Sequence, residues 1–304
     1  MVISLFSFRC YLAVLLGFLW LPLSASSDSV VEVVDDIGKK IKLMQPAKRL
    51  VSLSPHLTEL AYEAGAGEKL VATVDFANYP EDALKLKRVG SHNAIDTESL
   101  LAMEPDLVLA WLSGSGRQSI EYLESLGLNV YVSEPDTLLD ISRTIRDIGM
   151  LAGTSATSEQ TALAFEDRLA VLKANYSGRE LLKVFIQVWQ QPLITVNDKQ
   201  LISHVVELCG GKNVFGNETV LAPVITVESL LLRNPEVIIG TAVPARQETW
   251  METWLSFGDI QAVKSNNLYF IKPDLLNRHT SRILQGAEQM CAYFENARKK
   301  RTLP

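Results

Sequence analysis

Apolar and polar residues change rhythm several times along this chain. Two short apolar-rich runs, Val30–Val34 and Lys40–Met44, flank Asp35-Asp36-Ile37-Gly38-Lys39 and predict a β-hairpin that turns at Gly38. From Arg49 onward, runs that suit strands alternate with runs that keep helical spacing. The strands are Leu50–Leu53, Leu70–Val74, Leu107–Trp111 and Val130–Val132; the helices are Leu57–Glu63, Glu98–Met103 and Ser119–Ser125. Gly65 and Gly67 stop the first helix and Gly127 the last. This βαβα alternation predicts a mainly parallel sheet covered by helices.

Residues 138–176 break the rhythm. Ile141, Ile145 and Ile148, then Leu163, Phe165, Leu169 and Leu172, keep helical spacing around an interruption near Gly149–Ser158. The alternation then resumes with strands Val184–Val188, Leu193–Val196, Val237–Ile239 and Leu268–Ile271. The helices of this half are His204–Leu208, Glu228–Leu232 and a final one over Ser281–Arg298. The pattern divides the chain into an N-terminal α/β lobe over 27–137, a connecting helical segment over 138–177 and a C-terminal α/β lobe over 178–304. No Gly-, Ser- or Pro-rich coil marks the join, so the lobes are expected at a fairly fixed separation.

An internal repeat supports the division. The stretch Ile95-Asp96-Thr97-Glu98-Ser99-Leu100-Leu101 with Glu104-Pro105-Asp106-Leu107 returns as Ile225-Thr226-Val227-Glu228-Ser229-Leu230-Leu231 with Asn234-Pro235-Glu236-Val237. Each copy reads as a short helix, a proline stop and a buried strand. Each also sets a glutamate, Glu98 or Glu228, in the first helical turn. There a carboxylate favours the helix dipole by about 0.3–1 kcal/mol. Present in both lobes, the two make a matched anionic pair suited to a pseudo-symmetric basic partner.

Composition narrows the class. The 304 residues carry 29 Lys+Arg against 35 Asp+Glu, for a formal net charge of −6, with 47% hydrophobic residues. These are globular proportions, and the acidic balance argues against nucleic acid as a partner. At this length two domains of about 100–150 residues are expected. Arg9, the apolar run Tyr11–Leu23 and the small residues Ser24-Ala25-Ser26-Ser27 describe an export signal over residues 1–26, with a membrane anchor as the alternative. Cys10 precedes the apolar run, so it is not at a lipoprotein cleavage point. Cleavage leaves Cys209 and Cys291, which form either one disulfide or two buried thiols.

Enzyme signals are poor: no G-x-S-x-G, P-loop or H-E-x-x-H is present. Gly114-Ser115-Gly116 follows a strand and precedes a helix, where a phosphate loop would sit, but Ser119 stands where a dinucleotide fingerprint needs its third glycine. A periplasmic α/β enzyme binding phosphate at Gly114–Gly116 is therefore the reading from another class. His56, His92, His204 and His279 are scattered, without metal-ligand spacing, and suit capping or solvated roles. His92 stands apart because it follows a predicted strand. Tyr79, Trp111 and Trp189 fall at or just after strand ends, where open α/β sheets bind ligands, and could wall a cleft. Trp250 and Trp254, spaced i to i+4, read as the apolar face of one helix.

Several of these pieces together resemble a known family. Leu53-Ser54-Pro55 with Thr58-Glu59-Leu60, Asn78-Tyr79-Pro80, Glu104–Trp111, Glu207-Leu208-Cys209-Gly210-Gly211, and Pro273-Asp274 followed by Arg282-Ile283 are similar to motifs of the periplasmic substrate-binding proteins of the iron-chelate and cobalamin type. The resemblance covers nearly the whole chain after the signal and is strongest to the cobalamin branch. It implies two Rossmann-like lobes joined by a long rigid helix, one ligand held between them without chemistry, and a monomer when free. It implies no cofactor, cobalamin as transported ligand, and delivery to the permease of an ABC importer. By position, Tyr79 and Trp111 would line the cleft and Asp274 its second-lobe edge, with Trp189 and His92 as further contacts. Glu98 and Glu228 would dock against permease arginines, and Cys209 and Cys291 would form the disulfide. The chain departs from the pattern where His92 and Ala222 replace expected tryptophans and Leu275 replaces an aromatic. The same fold could instead take a ferric siderophore, haem or another corrinoid, with Arg117, Arg246 and Arg278 as candidate cations for an anionic chelate.

Overall fold

The computed structural model describes residues 30–91, 94–241 and 247–301. The expected signal at 1–26, His92 and Arg246 lie outside the described residues. The chain opens with an antiparallel hairpin, β1 (Val31–Val34) and β2 (Lys40–Leu43), whose turn uses Gly38 at φ +80°. The first lobe is a five-stranded parallel sheet in the order β5-β4-β3-β8-β9. Its strands are β3 (Leu50–Ser52), β4 (Leu70–Thr73), β5 (Lys87–Arg88), β8 (Leu107–Trp111) and β9 (Val130–Ser133). A two-stranded ribbon, β6 (Gly90–Ser91) with β7 (Ala94–Ile95), projects from the loop after β5. The lobe's helices are α1 (Pro55–Glu63), α2 (Thr97–Leu101), α3 (Leu112–Ser115) and α4 (Arg117–Ser125). α1 begins two residues before the sequence-based start at Leu57, because Ser54 accepts the Leu57 N–H and Pro55 supplies a preset φ.

Two helices connect the lobes: α5 (Leu138–Ala152), closed by Gly153 at φ +69°, and α6 (Ser155–Tyr176), which at 22 residues spans about 33 Å. They pack side by side, and Arg146 of α5 pairs with Glu159 and Glu166 of α6. The second lobe is a four-stranded parallel sheet, β11-β10-β12-β13. It is built from β10 (Leu182–Gln187), β11 (Gly211–Asn213), β12 (Val237–Gly240) and β13 (Leu268–Phe270). Around it lie α7 (Leu201–Leu208), α8 (Val227–Arg233), α9 (Gln247–Leu255), α10 (Gln261–Lys264), α11 (Pro273–Leu276) and α12 (Ile283–Arg301).

The strand expected over Leu193–Val196 is not one. Residues 193–197 bond to Val188 and Trp189 on one side and to Leu221–Ile225 on the other, each time as an isolated bridge. The tight Gln190-Gln191-Pro192 turn leaves too short a return for a continuous ladder. α7 likewise starts three residues earlier than expected, capped by the Gln200 side chain, which accepts the Ile202 N–H at 2.6 Å.

One apolar core runs through the whole molecule. It joins the hairpin, α1, α5 and α6 to β10, α7 and α12. The outer face of each sheet has its own smaller cluster, around Val51 and Val108 in the first lobe and around Phe185, Trp250 and Trp254 in the second. Both tryptophans of α9 are buried and donate to Gln187 Oε1, at 2.6 and 2.8 Å. Cys209, at the end of α7, is disulfide-bonded to Cys291 of α12.

Candidate functional site

The repeat is real in three dimensions. Asp96 and Thr226 cap α2 and α8 by accepting the Ser99 and Ser229 N–H groups, and Leu100 and Leu230 are fully buried one turn on. α8 closes on Asn234 at positive φ, and Glu104, three residues past the end of α2, also has positive φ; each stands just before a proline. Asp106 then accepts from the backbone of Lys48 and Arg49 ahead of β3, and Glu236 from that of Lys183 in β10. Glu98 and Glu228 sit at the second position of their helices and are exposed. The carboxyl of Glu228 is held below the usual range by its own N–H and the Thr226 hydroxyl, which keeps it charged.

The carboxyl ends of the two sheets meet. From the first lobe come His56 at the start of α1, Phe76 and Tyr79 after β4, and Trp111 ending β8. From the second come Asp274 of α11 and the turn Arg278-His279-Thr280-Ser281-Arg282 that leads into α12. Trp111 lies edge-on to His56 and His279, with ring centroids 5.2 and 5.9 Å apart, and the two imidazoles are 5.4 Å from each other. Both histidines are buried, which rules out the solvated one of the two roles expected of them, capping or solvated surface. Burial pushes His56 well below its usual range and His279 to about 4, so both are uncharged at neutral pH.

Glu59 of α1, whose side chain is fully buried, anchors the seam. It accepts from Arg278 Nη1 at 2.6 Å and from Arg282 Nε and Nη2 at 2.9 Å. One turn on, Glu63 accepts from the Ser281 hydroxyl at 2.6 Å, and burial raises its carboxyl to about 7. Arg278 also donates to the Phe76 carbonyl at 3.0 Å and pairs with Asp274 at 3.1 Å. Arg282 covers the Tyr79 ring at 3.9 Å. Tyr79, Trp111 and Asp274 are thus brought into one contiguous site. Trp189 follows the interior strand β10, is 54% exposed and donates its Nε1–H to the Gln191 carbonyl; among the described residues no hydrogen bond or ring contact joins it to the others. Of the departures, Ala222 is exposed and Leu275 is buried in the core.

The Gly114-Ser115-Gly116 turn serves the site differently from a phosphate loop. A Cβ on Gly114 would fall 2.2 Å from the Trp111 ring, so this glycine makes room for the indole. The residues that sequence reasoning undervalued are Glu59, Glu63, Arg282 and the two histidines. The signal for Glu59 was present: it is a carboxylate set in sequence between Leu57 and Leu60, inside a run of buried residues from His56 to Ala61.

Comparison with known proteins follows the same lines. A vitamin B12-binding protein of Vibrio parahaemolyticus is 33% identical over 257 residues, which is 84% of this chain and 93% of the relative. One from Yersinia pestis is 34% identical over 247 residues, 81% of this chain and 86% of the relative. The crystal structure of the periplasmic vitamin B12 binding protein BtuF of Vibrio cholerae aligns with a TM-score of 0.79 at 33% identity, covering 84% of this chain and 99% of that one. A periplasmic heme binding protein from Pseudomonas aeruginosa, 21% identical, aligns with a TM-score of 0.71 over 82% of this chain and 92% of its own, and shares the fold. The periplasmic binding protein family matches residues 50–275, and the chain belongs to that family.

Proposed function

We propose that this chain captures cobalamin between its lobes in the periplasm, after loss of residues 1–26, and hands it to the membrane subunits of an ABC importer. The observation that carries the reading is the meeting of the carboxyl ends of both sheets, with Tyr79, Trp111 and Asp274 gathered at the seam. Relatives named for vitamin B12 binding support it along most of the chain. The protein binds its ligand and makes or breaks no bond in it. Flat faces at Tyr79, Trp111 and Trp189 cover the macrocycle, with Asp274 and His92 as polar contacts. No cofactor enters the scheme: the cobalt corrinoid is the cargo. The free protein is a monomer.

Glu98 and Glu228 are the docking anchors, one per lobe, against basic residues of the permease. Charges of this kind govern encounter rate and register more than affinity for the ligand. The test is growth of a cobalamin-requiring strain with this chain as its sole periplasmic carrier. Replacing both glutamates by alanine should abolish uptake at low external cobalamin while the purified variant still binds cyanocobalamin. Uptake at the wild-type rate would contradict the assignment, as would loss of ligand binding.

A further inference from the structure

Two guanidinium groups stand at the seam between the lobes, and both are already paired. Arg278 and Arg282 come from the second lobe. Glu59 reaches them from the first with three hydrogen bonds of 2.6 to 2.9 Å, and Asp274 adds a second carboxylate to Arg278 at 3.1 Å. The four side chains carry formal charges that cancel. Glu59 is 0% exposed, Arg278 12% and Arg282 14%, so the pairing is held away from water, where an exchange of partners costs most. His56 and His279, in ring contact with each other and with Trp111, add no charge. Below about pH 7, where burial holds Glu63 protonated, a ligand at this seam meets polar groups without net charge, and above it the added charge is negative. A carboxylate brought there would lose its hydration and find each guanidinium already bound to a fixed carboxylate.

We infer that Glu59, seconded by Asp274, sets ligand selectivity through charge: it cancels the arginine pair and so disfavours anionic chelates relative to an uncharged, amide-bearing ligand. This rests on the cobalamin reading above and deepens it. Selectivity gained by withholding compensation from the wrong ligand needs no extra contact with the right one.

The test titrates wild type, Glu59→Gln and Asp274→Asn with three probes: cyanocobalamin, its monocarboxylic acid with one side amide hydrolysed, and haemin, which carries two carboxylates. Wild type should prefer cyanocobalamin to the acid. Each variant should shift that preference toward the acid by about tenfold, the effect of about one uncompensated charge near the site, and should gain affinity for haemin. Asp274 is half-exposed, so Asp274→Asn makes the same charge change without emptying a buried pair and reads the question if Glu59→Gln does not fold. An unchanged preference, or a parallel loss for all three probes, would overturn the inference. A wild type that ignores cyanocobalamin refutes the functional reading alone. The haemin arm still decides the inference, since a gain in the variants sustains it and no gain refutes it.

Discussion

Glu63 and the histidine pair lie within one seam yet titrate with opposite consequences for stability. Burial raises the Glu63 carboxyl from 4.5 to about 7, so between those values the folded chain holds a proton that the unfolded chain has released. Its contribution therefore falls as pH climbs from about 4.5 to about 7 and stays low above that. Burial lowers His56 and His279, so their contribution is lost as pH falls below 6.5, for His279 down to about 4. Comparing wild type with Glu63→Gln isolates the first effect: in urea unfolding the variant should gain on wild type steadily from pH 4.5 to 7. Parallel curves would show that Glu63 keeps an ordinary carboxyl. At this scale the sequence was only partly legible. Tyr79, Trp111 and Asp274 could be picked out because strand ends and motif positions mark them. Glu59, Arg282 and the histidines could not, because their meaning lies in contacts across more than 200 positions of chain. The Gly114 case is similar, since a strand-to-helix glycine looks the same whether it cradles a phosphate or an indole.

At the scale of elements, strong local signals survived and weak ones did not. The hairpin, the parallel strands and the capped α2 and α8 follow from patterns confined to a few residues. The pseudo-strand at 193–197 failed because its pairing is divided between two segments, and α7 began early because a glutamine did the capping. The disulfide is the clearest link between elements: Cys209 ends α7 and Cys291 lies in α12, 82 positions away. Closing a loop of that length restricts the unfolded chain, an effect worth about 4 kcal/mol in the chain-entropy model. A Cys209→Ala, Cys291→Ala chain should unfold at clearly lower urea concentration with its m-value little changed. An unshifted midpoint would mean the bond contributes nothing beyond local packing. Cysteine counting left the thiol state open, and family resemblance named the pair.

Taken whole, the molecule is two sheets whose carboxyl ends face each other across a seam, behind which one apolar core passes unbroken through α5 and α6. Lobe separation would tear that core and the Glu59 and Glu63 contacts together, so ligand capture is expected with little lobe movement. The two-lobed α/β design was readable from alternating patterns and from the repeat. The seam was not, because it depends on how the lobes are turned toward each other. The central claim is that this seam is a corrinoid site. Calorimetric titration of residues 27–304 with cyanocobalamin, followed together with tryptophan fluorescence, tests it most directly. The account predicts saturable one-to-one binding, at about micromolar or tighter, with quenching that weakens when Trp111 is replaced by alanine. No heat and no quenching with cyanocobalamin, alongside one-to-one binding of haemin or a ferric siderophore, would contradict it.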